Sequence, residues 1–232
     1  MENEQYNLLI IDENQDQVDD FYRFIENIVK DGQINVELKV FDLMSLAEDG
    51  DLIDYIIEHE IDAVGIDYKL KENVNAFANN GDVYMNLILD NFEGFPTFII
   101  TNNAEDSRAM NADPFKVIPK SIVNYDSENE AQVAEAKALV EKVVESIEKY
   151  YQNIQAYEDE LFELIQKQES GANLSEEELQ RIVYLDNKLE NSISKRQKIP
   201  AEWKSPANIE NIAALVANSE DILNQLKQIN NG

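Results

Sequence analysis

Five residues with chemically useful side chains stand where apolar runs stop. Asp12 and Glu13 follow Leu8-Leu9-Ile10-Ile11, Asp67 follows the run over residues 61–66, Thr101 follows Phe98-Ile99-Ile100, and Lys120 follows Val117-Ile118-Pro119. If these runs are parallel strands of one sheet, their carboxyl ends share the crevice where open α/β sheets hold ligands. Three carboxylates there supply hard oxygen donors for Mg²⁺, which keeps several waters and accepts phosphate oxygens. With that negative charge offset, Asp67 is placed to attack phosphorus as a nucleophile. Lys120 would pair with the resulting acyl phosphate, and the Thr101 hydroxyl would donate a hydrogen bond to one of its oxygens. Each residue alone has a plainer role: Asp67 as a turn or cap, Thr101 as a strand-end cap, Glu13 and Lys120 as solvated charges. The argument for chemistry rests on the set.

Strands and helices taking turns must position that set. Between Tyr6 and Tyr125, short apolar runs alternate with amphipathic stretches, the signature of α/β folds with a parallel sheet. The run at Leu8 is continuously apolar, as expected of a central strand buried on both faces. Val18, Phe21, Tyr22, Ile25, Ile28 and Val29 follow at helical spacing and stop at Asp31-Gly32. Strands are expected over residues 36–41, 61–66, 98–100 and 115–118, and helices around Leu52, from Gly81 with Val83, Leu87 and Ile88, and near Glu105. The polar stretch from Asn73 to Asn80 makes the connection after Asp67 long, and long ordered loops often carry function.

From residue 127 the pattern becomes helical. Val133, Val140, Ile147, Ile154 and Leu161 recur every seventh residue, with Ala136, Val143, Tyr150, Tyr157 and Leu164 as the companion seam, a coiled-coil-like stripe. Gly171 ends it. Ser175 and Glu178 form a capping-box pattern before a helix carrying Leu179, Ile182, Leu185, Leu189 and Ile193. A connector over residues 199–206, with Trp203 between two prolines, precedes a last helix with Ile209, Ile212, Val216, Leu223 and Leu226 on one face. The expected organisation is an α/β domain over 1–126 and a helical tail over 127–232, most simply a hairpin plus a third helix. The tail is expected to dimerise, to fold on itself or to dock another protein.

Composition excludes several classes. In 232 residues, 19 Lys and Arg face 47 Asp and Glu, a net charge of −28 that repels nucleic-acid phosphates and anionic lipid. The excess is uneven: residues 1–126 hold 27 acids and 8 bases, and the rest 20 and 11. No Cys removes disulfides and thiolate chemistry, and a single His removes His-rich metal sites. That residue, His59, sits near a helix end and is given no catalytic part. The tail has no His, so it is not a histidine phosphotransfer module, and it lacks a basic recognition helix. The opening stretch lacks a signal-peptide pattern and no run is long enough for a membrane span. The expectation is a cytoplasmic protein without nucleic-acid or membrane partners.

Four segments, Ile10-Ile11-Asp12-Glu13-Asn14, Gly65-Ile66-Asp67-Tyr68-Lys69-Leu70, Ile99-Ile100-Thr101-Asn102-Asn103 and Val117-Ile118-Pro119-Lys120, stand in one order over about the first half of the chain. In this the chain resembles the receiver domain of response regulators. The resemblance implies a five-stranded parallel sheet of order 2-1-3-4-5 and phosphoryl transfer from a histidine kinase to Asp67 with Mg²⁺. It also assigns Asp12 and Glu13 as the metal-binding acidic pair and the Lys69 backbone carbonyl as a further ligand. Any activity of the chain's own is at most self-phosphorylation from a phosphodonor and autodephosphorylation. The alternatives are a phosphorylation-independent scaffold and a phosphate sink without output. The chain departs from the family in its last motif. There the lysine usually precedes a proline, commonly in a cis bond, whereas here Pro119 precedes Lys120 and Ser121 follows. Lys120 is therefore expected to be aimed differently. Phe115 is the nearest candidate for the family's fifth-strand aromatic residue.

Overall fold

Leu8, Leu9, Ile10 and Ile11 are each at most 2% exposed. An unbroken apolar run fits a strand covered on both sides, and these four residues fill the end of β1 (Gln5–Ile11). Asn14 then turns the chain into α1 (Gln15–Lys30), its side-chain oxygen accepting from the Asp16 N–H at 3.0 Å as an N-cap does. Val18, Phe21, Phe24, Ile25 and Ile28 are the buried face of α1. The sequence pattern put Tyr22 on that face, but it is 50% exposed and Phe24 is inside. Phe21 centres the stripe, so Phe24, one turn on, lies within it while Tyr22 passes the rim.

The chain continues through β2 (Glu37–Leu43), α2 (Gly50–Glu58), β3 (Ala63–Asp67), α3 (Gly81–Asn91), β4 (Thr97–Thr101) and β5 (Val117–Pro119). A 3-10 turn over Lys120–Asn124 leads toward α4 (Glu130–Glu169), and α5 (Glu176–Ile193) follows. This computed structural model describes residues 5–30, 37–70, 76–102 and 116–193. The expected helix near Glu105, Phe115, the 199–206 connector with Trp203, the last helix around residues 209–226, and the helix stop at Asp31-Gly32 lie outside the described residues.

The five strands form one parallel sheet of order β2-β1-β3-β4-β5, as expected from the alternating pattern and the four motifs. The β1–β2, β2–β3 and β3–β4 crossovers carry α1, α2 and α3 in turn, and alternate residues face opposite sides. Leu8, Ile10, Ala63, Phe98, Ile100 and Ile118 pack with Phe21, Phe24 and Ile28 of α1 and with Ala136, Val140, Val143 and Ile147 of α4. The first half of the heptad stripe is thus taken up by the sheet. Leu9, Ile11, Val64, Ile66 and Ile99 are equally buried and alternate to the other face, while α2 and α3 bury Leu52, Ile53, Ile56, Tyr84 and Ile88.

Two compact units result, Met1–Asn153 and Ile154–Gly232, so the start of the long helix belongs with the sheet. In the second unit the predicted capping box is present: Glu178 N–H donates to Ser175 Oγ at 3.2 Å and Ser175 N–H to Glu178 Oε2 at 2.9 Å. Arg181 grips Glu160 through two hydrogen bonds of 2.7 and 2.6 Å. Gly171, at φ +83°, makes the turn before α5 in a left-handed conformation that favours glycine. No helix among the described residues is long and apolar enough to cross a membrane.

Candidate metal and phosphoryl site

Register brings the strand ends together. Ile11 pairs with Ile66, Asp67 with Ile100, Ile100 with Ile118, and Thr101 with Pro119. One residue past Ile11, Asp12 reaches the level of Asp67. Lys120 emerges one residue beyond Pro119, just past the end of β5.

Asp12 is 5% exposed and Asp67 6%, and burying a carboxylate is unfavourable unless it is paired. Lys120 provides that pairing for both: its Nζ lies 2.8 Å from Asp12 Oδ2 and 2.9 Å from Asp67 Oδ1. The inverted Pro119-Lys120 order does not turn the amine away from the cluster, and no peptide bond among the described residues is cis. Asn14 N–H donates to the other Asp12 oxygen at 2.9 Å.

Glu13 completes a group in which carboxylate oxygens of Asp12, Glu13 and Asp67 lie within 4.8 Å of one another. Its Oε2 is buried and has no hydrogen-bond partner among the described residues. Burial raises the Glu13 pKa, and the neighbouring Asp12 and Asp67 charges add to the rise. Asp67 is likewise raised, by burial first, with the Lys120 charge and hydrogen bond and the Lys69 backbone N–H pulling the other way. Burial alone would lower the Lys120 pKa, but its hydrogen bond to Asp12 and the charges of Asp67 and Asp12 push it up. Lys120 therefore holds its proton more firmly than an ordinary lysine.

Three carboxylates against one ammonium leave an unbalanced negative site. Hard oxygen donors at this spacing, with one oxygen lacking a donor, fit a divalent cation such as Mg²⁺. Thr101, 4% exposed, ends β4 one register step past the partner of Asp67. Lys69 lies in the turn after β3 and places its backbone N–H on Asp67, whereas the resemblance assigns a ligand role to its carbonyl.

Sequence reasoning missed one positioning residue. A Cβ on Gly81 would lie 2.2 Å from the Asp67 carbonyl oxygen, so only glycine lets α3 start this close to the end of β3. Gly81 N–H also donates to Tyr68 O at 2.9 Å. The available signal was a lone glycine at the expected helix start, but sequence spacing does not show which backbone it approaches. His59 closes α2 as expected, stacked on Tyr55 at 4.0 Å with Nδ1 3.1 Å from Tyr55 O, far in role from the cluster. No family model matches the chain, and no curated protein does.

Proposed function

We propose that the chain is a receiver-type phosphoacceptor of a two-component signalling pathway. It takes a phosphoryl group from a histidine kinase onto Asp67 in the cytoplasm, and its helical region makes protein contacts or dimers instead of touching DNA. The observation that carries this reading is Lys120 held between Asp12 and Asp67, with Glu13 beside them.

In this reading an Asp67 carboxylate oxygen attacks phosphorus in line with the donor bond. A P–O bond to Asp67 forms as the bond from phosphorus to the donor's leaving atom breaks, and the leaving group keeps that electron pair. Asp12, Glu13 and Asp67, with the Lys69 carbonyl, would hold Mg²⁺, which supplies charge neutralisation and phosphate-oxygen ligation when bound. Lys120, already on Asp67, moves its charge onto a phosphoryl oxygen as the acyl phosphate forms. The Thr101 hydroxyl donates a hydrogen bond to another phosphoryl oxygen.

Beryllofluoride, a phosphoryl mimic, tests this with Mg²⁺ present. The backbone amides of Asp67, Thr101 and Lys120 are expected to shift together in NMR spectra, and Asp67→Asn is expected to abolish the response. A wild-type spectrum unchanged by the reagent would reject the reading.

A further inference from the structure

A second site lies away from the carboxylate cluster, where the entry to β4 meets α4. Lys116, Lys142 and Lys149 line one groove there with Ser146, Tyr150 and Asn153. Phe95 and Tyr150 form its floor, their rings 5.5 Å apart edge to face. In a chain of 47 acids and 19 bases, three lysines share this lining, and no acid is found among its described residues. Glu141, Glu145 and Glu148 lie on the same helix but outside the lining. The local potential therefore opposes that of the whole molecule, which carries −28, and such contrast focuses an oppositely charged ligand.

Spacing identifies the kind of ligand. At about 1.5 Å per helical residue, Lys142 and Lys149 stand roughly 10 Å apart along α4, and the lining from Lys142 to Asn153 runs roughly 16 Å. That length exceeds a single phosphate. It matches about five residues of extended chain, in which alternate side chains recur about every 7 Å. Phe95 and Tyr150 are both under 9% exposed, so they offer little ring face for a stacked base. We infer that this groove binds an acidic, extended peptide segment of a partner protein, its carboxylates meeting Lys116, Lys142 and Lys149 and its backbone reaching Ser146 and Asn153. The site is independent of the phosphoacceptor reading.

The test is fluorescence anisotropy of the full chain with a labelled peptide of about ten residues, rich in Asp and Glu around one Phe. Two triple variants lower the charge equally: K116Q/K142Q/K149Q in the groove and K39Q/K137Q/K188Q elsewhere. Circular dichroism melts confirm that both are folded. The expected result is salt-sensitive binding that the groove variant weakens by about tenfold or more while the other stays within about twofold of wild type. Absence of binding to wild type, equal loss in both variants, or tighter competition by ATP or inorganic phosphate than by unlabelled peptide would overturn the inference.

Discussion

Lys120 pairs with two buried carboxylates at once, and stability follows from that pairing. Removing its charge in Lys120→Met leaves Asp12 and Asp67 facing each other without a cation, which is expected to cost about 3 kcal/mol in urea denaturation. Asp67→Asn relieves one buried charge and should stay within about 1 kcal/mol of wild type while losing any phosphoacceptor function. A separate carboxyl gives a pH signature. Asp62 accepts hydrogen bonds from Tyr151 Oη at 2.5 Å and from Asn7 N–H at 2.7 Å, yet burial raises its pKa above 3.8. The folded state then binds this proton more tightly than the unfolded state does, so ionising Asp62 lowers stability as pH climbs above 3.8. Asp62→Asn is expected to gain on wild type between pH 4 and pH 7 in thermal melts; a constant difference across that range would contradict the assignment. The strand-end residues Asp12, Asp67, Thr101 and Lys120 were legible in the sequence because each terminates an apolar run. The link from Asp62 to Tyr151 was not, since it joins residues 89 apart in the chain and depends on where α4 crosses the sheet.

At the scale of elements, two glycines separate tolerable crowding from intolerable crowding. A Cβ on Gly65 would meet the movable Cδ1 atoms of Ile100 and Ile10 at 2.9 and 3.0 Å, whereas one on Gly81 would meet backbone at 2.2 Å. Gly65→Ala is expected to cost about 1 kcal/mol and Gly81→Ala about 3 kcal/mol, with the Gly81 variant also displacing α3 from the end of β3. Equal losses in denaturation would refute this reading of the α3 start. Ser175→Ala, which removes an observed cap, should destabilise α5 by about 1 kcal/mol. Element types were readable because continuous apolar runs and helical spacing are strong local signals, whereas the strand order came only from the resemblance to receiver domains. The heptads of α4 were readable as a stripe, but not that Ala136, Val140, Val143 and Ile147 would be spent on the sheet. A sevenfold repeat states that a face is buried and leaves the partner open.

For the whole molecule, a charge of −28 is expected to make self-repulsion larger than the surface ion pairs among the described residues can offset. Raising NaCl from low salt to about 0.5 M is expected to raise the Tm by several degrees, because screening acts over about 10 Å or less. A Tm that falls with salt would mean that attractive pairs dominate instead. Against this anionic background, the cluster at the strand ends stands out because an ammonium and three carboxylates share one small space. Its chemistry is tested most directly by intact-mass spectrometry after incubation with acetyl phosphate and Mg²⁺, followed by peptide mapping. Wild type is expected to gain one phosphoryl group on Asp67, while Asp67→Asn gains none and Lys120→Met gains far less. A folded wild-type chain that gains no phosphoryl group, or gains it on another residue, would contradict the account.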